Sequence, residues 1–420
     1  MSHRWPKRES WPALLALLVA CCLPAVALAQ TAYPPPVLLE EGEAPPPPPP
    51  VTTPGDVPYD LTPYEADMVM AFDDNGVQRP EWPRPPVFDD TPCVVQAGSA
   101  SSLNACLDRP GEHIIVPAGN YSGPFTFDRS DQWIEMDNDA VLIGGVTFSG
   151  GAARVQVTGG NIVRGRVQNA GVDDLLINNV NMILIDRVNA NRNSFLTCLT
   201  GFNCARMAIV NSTCHATTAC ALTNHEPRGS STSLIIANFD AWSEFVNGTG
   251  NDEYVSRLQN TDRVIIVDSH FRVYPTSKPP QRFHYGSTAT LLVNNIFEGS
   301  GTGFTNFWID TTAGLPEIDD IDNMFVLRNS FYQHSSRKIS DVNIDDSFAG
   351  NGIDVILVHL EDNVSYHRNT ASWLIGGNWN SAAQNCGGRD PCFRNINNRG
   401  VVVPDLALIP FTGGADHDVP

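Results

Sequence analysis

Ten short apolar runs recur between residues 91 and 410, each followed by a small or amide residue. Their last apolar residues are Val116, Met136, Val157, Ile177, Val210, Ile236, Val267, Val293, Leu327 and Leu360, at intervals of 20 to 34 residues. Such a period marks a solenoid: no unit can bury its apolar face alone, and stacking supplies the core. Two residues after each anchor stand Ala118, Asn138, Gly159, Asn179, Ser212, Asn238, Ser269, Asn295, Asn329 and Asp362. Asn tolerates the left-handed backbone of a sharp bend, and its amide can hydrogen-bond within a turn, so an asparagine corner with a ladder along it is expected. Four residues after their anchors stand Phe271, Phe297 and Phe331, which predicts an internal aromatic stack. Intervals of 20 or 21 residues are minimal coils, and those above 30 carry loops inserted at one corner.

The intervals are rich in Gly, Asn and Thr and hold no amphipathic stretch of helical length, which argues against a doubly wound α/β fold. An opening segment, in which Ser101 to Leu107 reads as a short capping helix and residues 113–123 read HIIVPAGNYSG, completes the pattern. Together the repeat, the asparagine corner and this opening segment resemble the right-handed parallel β-helix of the pectin-lyase-like superfamily, over roughly residues 91 to 410. The resemblance implies an all-β solenoid of about ten coils, with a cap beyond residue 380. It does not fix an activity, since that fold carries lyases, hydrolases, esterases and non-catalytic adhesins. Asn260-Thr261-Asp262 matches the first polygalacturonase motif, but the later ones are absent, and the pectate lyase motifs have no match.

The chain divides into a signal peptide (1–29), a proline-rich disordered linker (30–60), an irregular lead-in (61–90) and the β-helix with its caps (91–420). Arg4, Lys7 and Arg8 precede an apolar run that ends in Ala27-Leu28-Ala29, a small-residue cleavage pattern. Leu18-Val19-Ala20-Cys21 is a second processing pattern, one that would place a lipid anchor on Cys21. Pro34 to Pro36 and Pro45 to Pro50 favour extended polyproline II, which suits a spacer that holds the folded part off a surface. No further segment is apolar and long enough to span a bilayer. The formal charge of −20 repels phosphate backbones and argues against nucleic-acid binding. Eight cysteines follow the signal peptide, and in an exported protein they read as disulfides. The simplest pairing is 93–106, 198–204, 214–220 and 386–392, with 198–220 and 204–214 as the alternative for the middle four.

Three sets of residues could carry chemistry. Arg257, Arg282 and His284 lie at matching distances before their anchors, hence on adjacent coils, with Glu317 and Asp319 at the matching place one coil on and Asp252 and Glu253 upstream. Carboxylates that hold Ca²⁺ beside a cationic side chain suit β-elimination of a uronic acid: the cation neutralises the sugar carboxylate and a basic group removes the acidified proton. Asp268 and His270, with Arg272 two residues on, form a second set able to exchange protons. Asn294 and Arg328 take the Asp268 position on the next two coils. The alternating oxygens of Asp341, Asn343, Asp345 and Asp346 form a weaker Ca²⁺ pattern without the required glycine and glutamate, and Asp319, Asp320 and Asp322 are similar. For each set an ordinary ion-pair network on a solvated face is the competing explanation. The expectation is a secreted or surface-displayed monomer that binds a polysaccharide or cell-surface glycan and cleaves it as a lyase. A non-catalytic adhesin-like module and a two-carboxylate glycoside hydrolase are the alternatives.

Overall fold

The computed structural model describes residues 56–89, 91–149, 151–184, 194–197, 204–217, 219–222, 233–244, 255–259, 261–274, 281–284, 289–299, 307–310, 321–334, 340–345, 355–368, 373–377, 393–404 and 406. The signal peptide, the Cys21 processing pattern and the linker up to residue 55 lie outside them. So do Asp252, Glu253, Glu317, Asp319, Asp320, Asp346, Cys198, Cys386 and Cys392.

The strands wind into a parallel β-helix whose coil has three faces. The first face begins with Cys93–Val94, His113–Val116 and Gln132–Met136 and runs through twelve described strands to Phe393–Ile396, each paired in parallel with the next. The second begins with Gly119–Ser122 and runs to Arg399–Val402. The third is a ten-stranded sheet from Phe125–Phe127 to Trp373–Gly377. Two long strands, Met207–Ala216 and Leu234–Glu244, run through the corner between the first and second faces.

That corner is left-handed. Asn179, Asn211, Asn238, Asp268, Asn294, Arg328, Asp362 and Asn397 have φ between 49° and 56°. The residue after each of the last five lies inside the coil, where four asparagines form the expected ladder. Asn295, Asn329, Asn363 and Asn398 each accept, through Oδ1, the backbone N–H of the residue one coil earlier, at 2.8–2.9 Å. Their amides donate to Ile266, Leu292, Val326 and Leu360 carbonyls at 2.8–3.0 Å. Each ladder residue thus closes main-chain groups that burial would otherwise leave unpaired. Phe271, Phe297 and Phe331 stack as expected, with centroids 5.7 and 5.4 Å apart, and Phe239 meets the stack edge-on at 6.2 Å.

The sequence alignment of anchors slips in places. Val157 stands beside Ile134 rather than Met136, Ile177 beside Ile209 rather than Val210, and Leu360 beside Val326 rather than Leu327. Strands buried on both sides read as continuous apolar runs, so the last apolar residue does not fix register.

The reason both sides are buried is residues 56–89. On the first face Val264, Ile266, Leu292 and Val326 fill the solenoid core. Their neighbours Ile265, Val267, Leu291, Val293, Phe325 and Leu327 form a second cluster outside it, covered by Met68, Ala71 and Phe72. These come from a short helix, α1 (Glu65–Ala71), and the turn after it; the chain then crosses the coils in extended form back to the first one. The strap is clipped at corner residues. Asp268 accepts the hydroxyls of Tyr59 and Tyr64, Arg328 pairs with Asp67, Asn211 donates to the Pro58 carbonyl at 3.1 Å, Asp174 holds Arg84 at 2.6 Å, and Asp131 accepts the Val87 N–H at 3.0 Å. The lead-in expected to be irregular is therefore in part helical and serves as a cover.

The N-terminal end is closed by α2 (Ala100–Leu107), capped by the Ser99 hydroxyl, with Leu103, Cys106 and Leu107 buried and a Cys93–Cys106 disulfide. Cys214 bonds Cys220, which rules out the alternative pairing of the middle cysteines.

Candidate functional site

On the second face alternate residues point inward to the phenylalanine stack and outward. The outward positions form two columns set by register. One runs Thr213, Asp240, His270, and the other His215, Trp242, Arg272, Glu298, Tyr332, Tyr366. An outward column on a solenoid ordinarily carries solvated side chains. Here Glu298 is 0% exposed, Arg272 5% and His334 7%, so charge has been taken out of water, which is costly unless each group is paired.

Glu298 organises the cluster. Its Oε2 accepts from Arg272 Nε at 2.7 Å and meets His270 Nε2 at 3.1 Å; its Oε1 meets His334 Nε2 at 2.7 Å. Burial alone would raise this carboxyl, but hydrogen bonds from His270 and His334 and the nearby positive charges hold it well below the usual carboxylate range. On its other side His270 Nδ1 faces Asp240 Oδ1 at 3.3 Å. Burial disfavours charge on this ring, but its bonds to Asp240 and Glu298 outweigh that and raise its pKa to about 9, so it is an imidazolium at neutral pH.

His334 is placed differently. A carboxylate can only accept, so Nε2 carries the hydrogen toward Glu298, and in the neutral ring the lone pair falls on Nδ1. That Nδ1 is buried and, among the described residues, has no hydrogen-bond partner, and the same is true of Nη2 of Arg272. Both residues lean on the same carboxylate through their other nitrogen. The result is a histidine whose Nε2 is directed at Glu298 and whose Nδ1 is buried and unbonded, near a guanidinium with one nitrogen in the same condition.

The column is stacked above and below this centre. His215 and Trp242 lie parallel with centroids 4.2 Å apart, and the Arg272 guanidinium sits 5.6 Å from the Trp242 centroid on the following coil. Tyr332 and Tyr366 stack at 4.7 Å. Burial, then the neighbouring Tyr366 and Glu298, push the Tyr332 phenol up to about 12, so it stays protonated.

The expected residues divide as follows. His270 and Arg272 are in the cluster. Asp268 is not their partner: it sits at the corner, and its carboxylate is engaged by Tyr59, Tyr64 and Asn294. Arg257, Arg282 and His284 lie on the third face, where Arg257 is in register with Arg282, and His284 with Gln259 and Asp310; their side chains are outside the described residues. Asp252, Glu253, Glu317 and Asp319 are outside them altogether. Among the described residues no group of three His, Cys, Asp or Glu side chains is arranged to hold a metal ion. Glu298 and His334 were missed in the sequence. The signal that would have found them is columnar: with the Phe271–Phe297–Phe331 register fixed, the next position reads Arg, Glu, Tyr, and His334 lies two further on.

No family model matches the chain, and no curated protein does either. Solved structures do. PfbA, a surface adhesin of Streptococcus pneumoniae, is similar over 74% of this chain and 91% of its own, with 10% identity and a TM-score of 0.45. An alginate lyase from Paenibacillus sp. str. FPU-7 covers 72% of this chain and 99% of its own, at 14% identity and a TM-score of 0.42. A DFA-IIIase from Arthrobacter chlorophenolicus A6, in complex with DFA-III, covers 73% of this chain and 79% of its own, at 13% identity and a TM-score of 0.39. At these identities and scores the likeness is one of fold and bears on nothing finer.

Proposed function

We propose that the chain is an extracellular β-helix that binds an acidic polysaccharide and cleaves it by β-elimination at the cluster around Glu298. The observation that carries this reading is a pair of buried nitrogens, His334 Nδ1 and Arg272 Nη2, which have no hydrogen-bond partner among the described residues and are both positioned by one carboxylate. Elimination from a uronic acid needs a cation to neutralise the sugar carboxylate and a base for the proton on the carbon beside it. Arg272 Nη2, backed by the charged ring of His270, supplies the first. His334 Nδ1 supplies the second. The electron pair of the broken C5–H bond forms the C4–C5 double bond, and the C4–O4 bond breaks. The leaving oxygen takes a proton from the Tyr332 hydroxyl. Glu298 plays the part that a buried carboxylate plays behind a histidine base, fixing its tautomer and steadying its charge.

The two-carboxylate hydrolase reading is weaker. Asp240 and Glu298 do flank one imidazole, but a hydrolase needs one carboxyl kept protonated, whereas Glu298 is held ionised by three donors and Asp240 is engaged with the His270 imidazolium. A second centre for the same elimination remains on the third face: Arg257, Arg282 and His284, with Ca²⁺ on Asp252, Glu253, Glu317 and Asp319. The register of Arg257 beside Arg282 favours it.

Incubation with a panel of uronate polymers, with and without Ca²⁺, tests the proposal through the ultraviolet absorbance of unsaturated products. The Glu298 centre predicts product in chelator; a strict need for Ca²⁺ points to the third face. No product from any polymer overturns the lyase reading and leaves an adhesin-like surface module. Secretion suits the Cys93–Cys106 and Cys214–Cys220 disulfides, which persist in oxidising compartments. Among the described residues no helix is long and apolar enough to cross a membrane. The N-terminal mass of the exported protein decides between cleavage after Ala29 and a lipid anchor on Cys21.

A further inference from the structure

We infer that the second face carries an extended binding track for a polysaccharide chain, running from Asn161 toward the N-terminal side of the Glu298 cluster. The inference rests on the proposed polysaccharide reading and adds where the uncleaved arm of the polymer lies. Its basis is the register of the outward columns. Asn161, Asn181, Thr213, Asp240 and His270 stand beside one another on successive coils, and Val163, Ile183, His215, Trp242 and Arg272 do so two residues further along. The first column is half-buried throughout. In the second, Ile183 and Trp242 are half-buried, while Val163 and His215 are covered.

The two columns differ in chemistry. The first is a hydrogen-bonding rail. Asn161 donates to the Asn138 and Ala140 carbonyls, at 2.7 and 3.2 Å, and accepts from Asn181 Nδ2 at 3.0 Å; Asn181 Oδ1 in turn accepts the Thr213 hydroxyl at 2.5 Å. These bonds fix the side chains and leave carbonyl and hydroxyl lone pairs over, which can accept from sugar hydroxyls. The second column offers apolar and aromatic surface at half-buried Ile183 and Trp242, which suits the C–H surface of a sugar ring. A strip with acceptors on one edge and apolar surface on the other has the two-sided character of a carbohydrate.

Charge points the same way. The chain carries 46 acidic residues against 26 basic ones, yet Asn161, Val163, Asn181, Ile183 and Thr213 carry no charge. A polyanion approaching the cluster would be repelled by most of the surface and tolerated here. The rail is continuous with the cluster, since Thr213 is the coil neighbour of Asp240. From Asn161 to Asp240 it spans three coil steps, about 14 Å at ~4.8 Å each, which an oligosaccharide can fill and a single sugar cannot.

The test is calorimetric binding to the full-length protein. The probes are a uronate disaccharide and an octasaccharide, each prepared from alginate and from polygalacturonate. Substitutions go at half-buried Ile183: Ile183→Asp places a negative charge in the track, Ile183→Ser removes apolar surface without charge, and thermal unfolding of each verifies the fold. The expected result is that the wild type binds the octasaccharide at least tenfold more tightly than the disaccharide. Ile183→Asp should lose about tenfold for the octasaccharide and nothing for the disaccharide, and Ile183→Ser should fall between. Equal affinity for both lengths, or a folded Ile183→Asp that binds the octasaccharide like the wild type, overturns the track while leaving the Glu298 site standing. A wild type that binds neither length overturns the polysaccharide reading itself, and the track with it.

Discussion

Replacing Glu298 with Gln keeps the shape of the side chain and removes the charge on which three others depend. The carboxylate is fully buried and contacts Arg272, His270 and His334 at 2.7–3.1 Å. Without it buried Arg272 and half-buried His270 lose their shared counter-charge, and a neutral amide would turn N–H hydrogens toward at least one of the present donors. Breaking one partner out of a buried ionic group costs about 3–5 kcal/mol. The His270 titration gives a second handle. Its rise from 6.5 to about 9 corresponds to roughly 3 kcal/mol of differential stabilisation of the imidazolium, shared between Asp240 and Glu298 against burial. Glu298→Gln should therefore lower the His270 pKa by more than one pH unit and lower stability by about 3–5 kcal/mol. Urea denaturation followed by circular dichroism reads the second effect, and NMR titration of the histidine ring protons reads the first. A variant within about 1 kcal/mol of the wild type, with His270 still titrating near 9, would refute the claim that Glu298 organises the cluster.

Three further outcomes follow from the same physics. The cluster makes stability depend on pH in two directions: the His270 contribution is complete below about 6.5 and is lost as pH rises toward 9, whereas that of Glu298 is complete above about 4.5 and is lost as pH falls through its depressed pKa. Buried His367, lowered to about 4 by desolvation, adds a loss between 6.5 and 4, so urea midpoints measured across pH should peak near 6.5 and decline on both sides. Asn329→Ala should cost on the order of 1–3 kcal/mol for each buried group it leaves unpaired, the Asn295 N–H and the Leu292 carbonyl among them, measured by the shift in urea midpoint; Asn161→Ala, at a half-buried position, should cost under about 1 kcal/mol. Tyr59→Phe with Tyr64→Phe removes both hydroxyls from Asp268 and should open the strap to limited proteolysis before residue 89, while the coils resist digestion.

The solenoid was readable because its rule is local. A β-branched run such as Arg263–Val267, a bend at Asp268 and Ser269, and an inward Phe271 repeat on the next coils with the same residue types. Register was less readable, since Ile265 and Val267 are as apolar as Val264 and Ile266 although the two pairs face opposite ways. The strap was not readable as a cover: its proline-punctuated, charged text has no period, and what fixes it are single contacts such as Asp67 to Arg328, 261 residues apart. The same holds for the candidate site. His270 and Arg272 stood out because they alternate beside an anchor. Glu298 and His334 look like ordinary surface residues until the coils are stacked, and only stacking brings a glutamate to a histidine 36 positions away.

The most direct test of the site is a crystal structure of His334→Gln, which removes the base and can retain the bond to Glu298, with a uronate oligosaccharide bound. The expected complex has a sugar carboxylate within hydrogen-bond reach of Arg272 Nη2, the adjacent C–H directed at residue 334, and the Tyr332 hydroxyl beside the glycosidic oxygen. A sugar bound on the third face, or a second face left empty at saturating oligosaccharide, would contradict it.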